Sequence, residues 1–106
     1  MNLVVLVGRV GKNVTAHTGE KKVTSFSVAT HSYYVRDGKT EKHTEWHKVV
    51  AYGPMAEFAA RNLRKGRLIA VTGYNRASKW EKDGEVQFSR DVVVTHIELL
   101  DSGQGA

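Results

Sequence analysis

The stretch Thr44-Glu45-Trp46-His47-Lys48-Val49-Val50-Ala51-Tyr52-Gly53-Pro54 decides the fold. Up to Tyr52 it alternates as a strand does, with Trp46, Lys48, Val50 and Tyr52 on one side and His47, Val49 and Ala51 on the other. Gly53-Pro54 then ends the strand and opens a helix, because proline in the first helical turn gives up only an amide hydrogen that has no intrahelical partner. Met55, Phe58, Ala59 and Leu63 follow at helical spacing, and Gly66 after Arg64-Lys65 is the expected helix stop.

Working outward from this junction, Leu3 to Val10 reads as a first strand that is apolar on both sides. Leu3, Val5 and Val7 share one face and Val4 and Leu6 the other, so the core is expected to cover one face and a second subunit the other. Val23 to Tyr34 reads as a second strand, with Phe26 and Val28 turned inward and Ser25, Ser27, Ala29, His31 and Tyr33 on the opposite face. Downstream, Leu68 to Ala77 and Val86 to Leu99 read as the last two strands, joined by a turn at Asp83-Gly84. Five strands, with one short helix between strands three and four, predict an all-β chain folded as a five-stranded OB barrel, although periodicity alone also suits another small barrel. The predicted organisation is one domain over residues 1–100, with 101–106 a flexible end.

Composition limits the function. The chain has 106 residues, 41% hydrophobic and 25% charged, the balance of an ordinary ordered domain. It contains no cysteine, which excludes disulfides and thiolate chemistry. The apolar N-terminus is too short to span a membrane and carries no basic leader, so no membrane association and a cytoplasmic location are expected. A formal net charge of +5 favours a polyanionic partner over a neutral small molecule.

Aromatic residues and cations occur together in two stretches. Tyr33-Tyr34-Val35-Arg36-Asp37-Gly38-Lys39 leads into Glu45-Trp46-His47-Lys48, and Arg76-Ala77-Ser78-Lys79-Trp80-Glu81-Lys82-Asp83-Gly84 forms the second. A flat ring offers an unpaired base a stacking surface while a neighbouring cation attracts its phosphate, so the pattern points to single-stranded nucleic acid. Large rings ordinarily fill cores or subunit interfaces, but Trp46 shares its face with Lys48 and Thr44 and is better placed to meet a ligand. Tyr34 and Tyr74 are left unassigned, and Phe26, Phe58 and Phe88 are expected to be packing residues.

Other chemistry finds little support. His43 and His47 flank Glu45 on one strand face, but no cysteine or further clustered histidine completes a metal site. Asp37 and Asp83 are explained by Asp-Gly turn geometry, Glu81 lies beside such a turn, and no serine or histidine has a nucleophile–base setting. No enzyme, cofactor or metal is expected.

Thr44-Glu45-Trp46-His47-Lys48-Val49-Val50-Ala51-Tyr52-Gly53, followed by Leu63-Arg64-Lys65-Gly66, resembles the bacterial-type single-stranded DNA-binding protein family. Asn2 to Lys12 resembles the family's opening strand, Phe26-Ser27-Val28-Ala29-Thr30 its second, and Ser78-Lys79-Trp80 its fourth-strand hairpin, so the resemblance runs from Met1 to about Leu100. It implies an OB fold that wraps single-stranded DNA with little sequence preference during replication, recombination and repair, usually as a homotetramer, with a dimer as the alternative. The family's stacking positions fall on Tyr33, where it often has Trp, on Trp46, on Tyr52, where it often has Phe, and on Trp80. Arg36, Lys48, Arg76 and Lys79 each lie beside one of these rings and are the expected phosphate contacts. Leu3 and Val5 on the two-faced first strand, and His47 where the family makes subunit contacts, are the expected interface. Asp101-Ser102-Gly103-Gln104-Gly105-Ala106 lacks the family's linker and acidic tail, so recruitment of replication or repair enzymes through such a tail is not expected. The alternative reading is an OB-fold assembly protein of primosome type whose main surface binds another protein, and a weaker one is RNA binding.

Overall fold

A computed structural model describes residues 1–12, 14–18 and 22–101. The chain runs β1 (Val4–Val10), β2 (Thr15–Thr18), β3 (Lys22–Arg36), β4 (Lys39–Tyr52), α1 (Pro54–Asn62), β5 (Leu68–Lys82) and β6 (Glu85–Leu99). Of the expected flexible end at 101–106, Asp101 is held in place, its carboxylate accepting from Arg67 Nε at 3.2 Å and from the Leu68 amide at 3.0 Å, and 102–106 lie outside the described residues.

Five strands close on themselves in the order β1, β5, β6, β4, β3 and back to β1. Neighbours are antiparallel except β4 and β6, which meet in parallel at Val49↔Val92 and Val50↔Val93. This is the OB barrel that the element order predicts, with its helix between the third and fourth barrel strands, here β4 and β5. The closing seam is narrow, because β1 meets β3 only at Arg9↔Ala29 and Val10↔Val28. Gly8 allows this approach: a Cβ there would stand 2.0 Å from the Ala29 carbonyl oxygen.

β2 was not expected. Thr15-Ala16-His17-Thr18 is too short and too polar to show a local strand period, and it forms because the Lys22–Ser25 segment of β3, past the end of β1, offers backbone partners from Thr15↔Ser25 to Thr18↔Lys22.

Strand parity places the core. Phe26 and Val28 of β3, Val49 and Ala51 of β4, Ile69 and Val71 of β5, and Val92 and Val94 of β6 all point inward, joined by Leu6 and Val10 of β1. One end of the barrel is plugged by α1 through Ala56 and Ala59, with Leu63 just beyond it. Thr24, fully buried at the same end, donates its hydroxyl to the Ala56 carbonyl at 2.7 Å and so ties helix to strand. The helix stops at Asn62, four residues before the expected Gly66 stop. Leu63 already has extended backbone, which drops its side chain into the core, and Arg67 donates to the vacated Asn62 carbonyl at 2.8 Å.

The two hairpins are longer than their periodicity predicts. Beyond the barrel their arms are exposed on both faces, so no apolar alternation marks them. Their turns are where the sequence puts them. Asp37-Gly38 and Asp83-Gly84 form two-residue loops with φ of 52° at each aspartate and 76° and 78° at the glycines, the all-positive geometry that suits the twist of a hairpin. Among the described residues no helix is long and apolar enough to cross a membrane.

Candidate nucleic-acid interface

Because each Asp-Gly turn has two residues, the register of each hairpin follows from its turn outward, and opposed residues point the same way. The β3–β4 ladder is unbroken from Arg36↔Lys39 to Val23↔Tyr52. On its outward face Tyr33 stands opposite Lys42, His31 opposite Thr44, Ala29 opposite Trp46, Ser27 opposite Lys48, and Val23 opposite Tyr52. In the β5–β6 hairpin the outward face carries Trp80 opposite Gln87, Arg76 opposite Asp91 and Tyr74 opposite Val93.

The parallel β4–β6 contact joins these two faces into one. Val49 and Val92 meet on the core side, so Val50 and Val93 meet on the outer side, and the rows above them run on without a change of parity. One continuous outer surface therefore carries Tyr33, Trp46, Lys48, Tyr52, Arg76 and Trp80. The rings are open to solvent, Tyr33 by 66%, Trp46 by 61%, Trp80 by 45% and Tyr52 by 40%. Trp46 lies over Gly11, where a Cβ would come within 2.9 Å of its ring edge. Beside it runs a groove of about 350 Å³, lined by Thr15, Ser25, Ser27 and Lys48 among others.

Arg76 is not a free cation. Its guanidinium carbon sits 5.4 Å from the centre of the Tyr52 ring, and its Nη2 donates to Asp91 Oδ2 at 3.1 Å. The Tyr52 hydroxyl first, and the Asp91 carboxylate second, raise the Arg76 pKa above its ordinary value. Asp91 itself is buried, and Asp91 Oδ1 and Arg76 Nε have no hydrogen-bond partner among the described residues.

The other two favoured cations lie elsewhere. Arg36 projects from the reverse of its hairpin, the side of Tyr34, whose hydroxyl donates to Glu41 Oε2 at 2.8 Å. Lys79 likewise lies on the reverse of β5, with its ammonium 6.0 Å from the centre of the Phe88 ring. Lys79 adjoins Trp80 and Arg36 is three residues from Tyr33, and residues an odd number apart along a strand point to opposite faces, so nearness in sequence does not put either cation on the face of its ring. Phe88 corrects a second expectation. It is 70% exposed rather than packed, because it lies on the arm beyond the barrel where there is no core to enter. Phe26 is core, and Phe58 packs partly against it.

Leu3 and Val5 form, with Val7, an exposed apolar stripe on the outer side of β1, whereas Leu6 and Val4 face the core. His47 is half-buried on the reverse of β4, its Nε2 2.8 Å from the Thr30 hydroxyl. Four further residues stand on the outer surface, His31, Lys42, Tyr74 and Asp91, and the sequence reading did not place them beside the favoured rings and cations. Counting outward from the two-residue turns pairs Tyr33 with Lys42 and Arg76 with Asp91, so the sequence contained the signal.

Residues 1–100 match the Single-strand binding protein family. The single-stranded DNA-binding protein of Xanthomonas axonopodis pv. citri (strain 306) is 38% identical over 109 residues, taking in 99% of this chain and 60% of that protein. The protein of the same name from Neisseria meningitidis serogroup B is 34% identical over 104 residues, 94% of this chain and 60% of its own length. This chain thus spans about 60% of the length of those relatives. Among solved structures, a Plasmodium falciparum SSB complex with ssDNA superposes with a TM-score of 0.86 at 27% identity, covering 95% of this chain and 96% of that one. A deletion mutant of the single-stranded DNA binding protein from Thermus aquaticus gives 0.85 at 26% identity, covering 96% and 51%. With its barrel, its outward rings and this match over nearly its whole length, the chain belongs to the Single-strand binding protein family.

Proposed function

We propose that this chain binds single-stranded DNA without sequence preference and coats and protects it during replication, recombination and repair. The observation that carries the reading is the single outward surface on which Tyr33, Trp46, Tyr52 with Arg76, and Trp80 stand alongside Lys42 and Lys48. Family membership and the likeness to an SSB complex with ssDNA support it. Bases stack on the rings while the backbone passes the lysines. In single-strand binders of this kind each stacked base contributes on the order of 1 to 3 kcal/mol by truncation. Each phosphate neutralised adds about 0.7 to the fall of log affinity with log salt. Duplex DNA hides its base faces and gains only the salt-dependent part.

Binding is the whole mechanism in this reading; the protein is not an enzyme and acts in the cytoplasm, at the nucleoid. Self-association buries the Leu3, Val5 and Val7 stripe of β1, with His47 as a further contact, and a homotetramer is the assembly the family suggests.

Titration of the intrinsic tryptophan fluorescence with a thymine homopolymer, at low and high salt and against a duplex of matched length, tests the proposal. Strong saturable quenching by the single strand alone is expected. An equal response to duplex, or none to either, would refute it and leave the rings to a protein partner.

A further inference from the structure

The sequence reading gives Tyr52 to a base, by resemblance, and Arg76 to a phosphate, as a cation beside a ring. The geometry assigns them differently. Arg76 stands over one side of the Tyr52 ring, its guanidinium carbon 5.4 Å from the ring centre, so a base arriving from that side meets the guanidinium first. The charge of Arg76 is met at 3.1 Å by the buried carboxylate of Asp91, its directly opposed partner in the β5–β6 ladder. A phosphate would have to compete with that carboxylate. Arg76 Nε and Asp91 Oδ1, both buried and unpartnered among the described residues, are the second donor and acceptor of a two-pronged guanidinium–carboxylate pair of which one prong is made.

We propose that Arg76 is itself a base-stacking plate, held over Tyr52 by Asp91, and that Asp91 is the residue that positions it. A guanidinium is planar, weakly hydrated and stacks on aromatic faces, and unpaired bases stack on arginine planes as they do on rings. Tyr52, Arg76 and the base form a three-layer stack in which Tyr52 supports rather than contacts the base. Because its charge is already compensated, Arg76 adds little to counterion release. Asp91 suppresses a phosphate contact that Arg76 would otherwise make.

This inference rests on the proposed binding of single-stranded DNA, and the test separates the two. Affinity for a labelled thymine homopolymer is measured across a salt series for the parent, Arg76→Lys, Asp91→Asn and the double variant Arg76→Gln with Asp91→Asn, each with its thermal midpoint. Arg76→Lys keeps the charge and loses the plane, and should weaken binding about fivefold or more with an unchanged salt slope. The double variant keeps a planar amide without charge and should stay within about threefold of the parent, again with an unchanged slope. Asp91→Asn frees the guanidinium charge and should steepen the slope by about 0.7, one phosphate's share, which loss of a merely structural contact would not do.

Arg76→Lys binding like the parent, a double variant whose slope falls by about 0.7, or an unchanged slope in Asp91→Asn would each overturn the assignment and return Arg76 to the phosphate path. The lysine and asparagine variants decide independently, so a folding failure in one leaves the other decisive. A parent that does not bind the homopolymer refutes the proposed function instead.

Discussion

Removing the Trp46 ring separates binding from folding, because this ring stands outside the core. Trp46 is 61% exposed, so about two-fifths of its surface is covered, by Gly11 and its strand neighbours. An enclosed tryptophan buries roughly 150 to 250 Å², so the covered share here is at most about 100 Å². At about 25 cal/mol per Å² this is worth no more than about 2.5 kcal/mol, an upper bound that leaves a domain with about 5 to 15 kcal/mol of stability folded. In the proposed binding a base stacks on the exposed remainder, and its loss should cost about 1 to 3 kcal/mol, or about five- to 150-fold in affinity.

Trp46→Ala is best measured by anisotropy of an end-labelled thymine homopolymer at fixed salt, since the variant has lost one of the fluorescent reporters. Circular dichroism gives the accompanying thermal midpoint. Trp46→Phe, which keeps a smaller ring, should fall between parent and alanine. The salt slope should not change, because the ring is neutral. A folded Trp46→Ala protein with affinity within twofold of the parent would refute the stacking argument.

The other expectations follow from parity and closure. Lys79→Ala should weaken binding far less than Trp46→Ala and leave the salt slope unaltered, because Lys79 is on the reverse of its hairpin; a slope lower by about 0.7 would place a phosphate there after all. Gly8→Ala should force β1 and β3 apart by about 1 Å at their two-residue seam, since its Cβ would stand 2.0 Å from a carbonyl oxygen that cannot turn away. A loss of about 2 to 4 kcal/mol follows from the strained backbone bonds, seen as a thermal midpoint lower by at least about 10 °C at fixed protein concentration, and a shift under about 4 °C would contradict it. Val5→Asp places a charge in the exposed apolar stripe of β1 and should move the protein to a lighter species in sedimentation, whereas an unchanged mass would exclude that stripe from the subunit interface.

How far each feature was legible follows the distance over which it is determined. The strand at Thr44 to Tyr52 could be read because parity is a property of consecutive residues: once Val49 and Ala51 are inward, Trp46 and Tyr52 must be outward. The helix start needed only Gly53-Pro54, and the turns only Asp-Gly. β2 was illegible because nothing in Thr15 to Thr18 asks to be a strand until β3 is beside it. The hairpin arms were read short because their pairing is held by backbone bonds, to which side-chain periodicity is blind.

Local sequence thus determined the number of barrel strands, the place of the helix and the outward aim of Tyr33, Trp46 and Tyr52. Tertiary structure alone decided that the two hairpins share one surface, because that depends on the parallel meeting of β4 and β6 at Val50↔Val93, between residues more than forty positions apart. It also decided that Arg76 stands over the Tyr52 ring with Asp91 beside it. The ladder pairs Arg76 with Asp91, but only barrel closure brings that pair to β4, and a side chain's charge is available to a ligand only when nothing in the fold has already taken it.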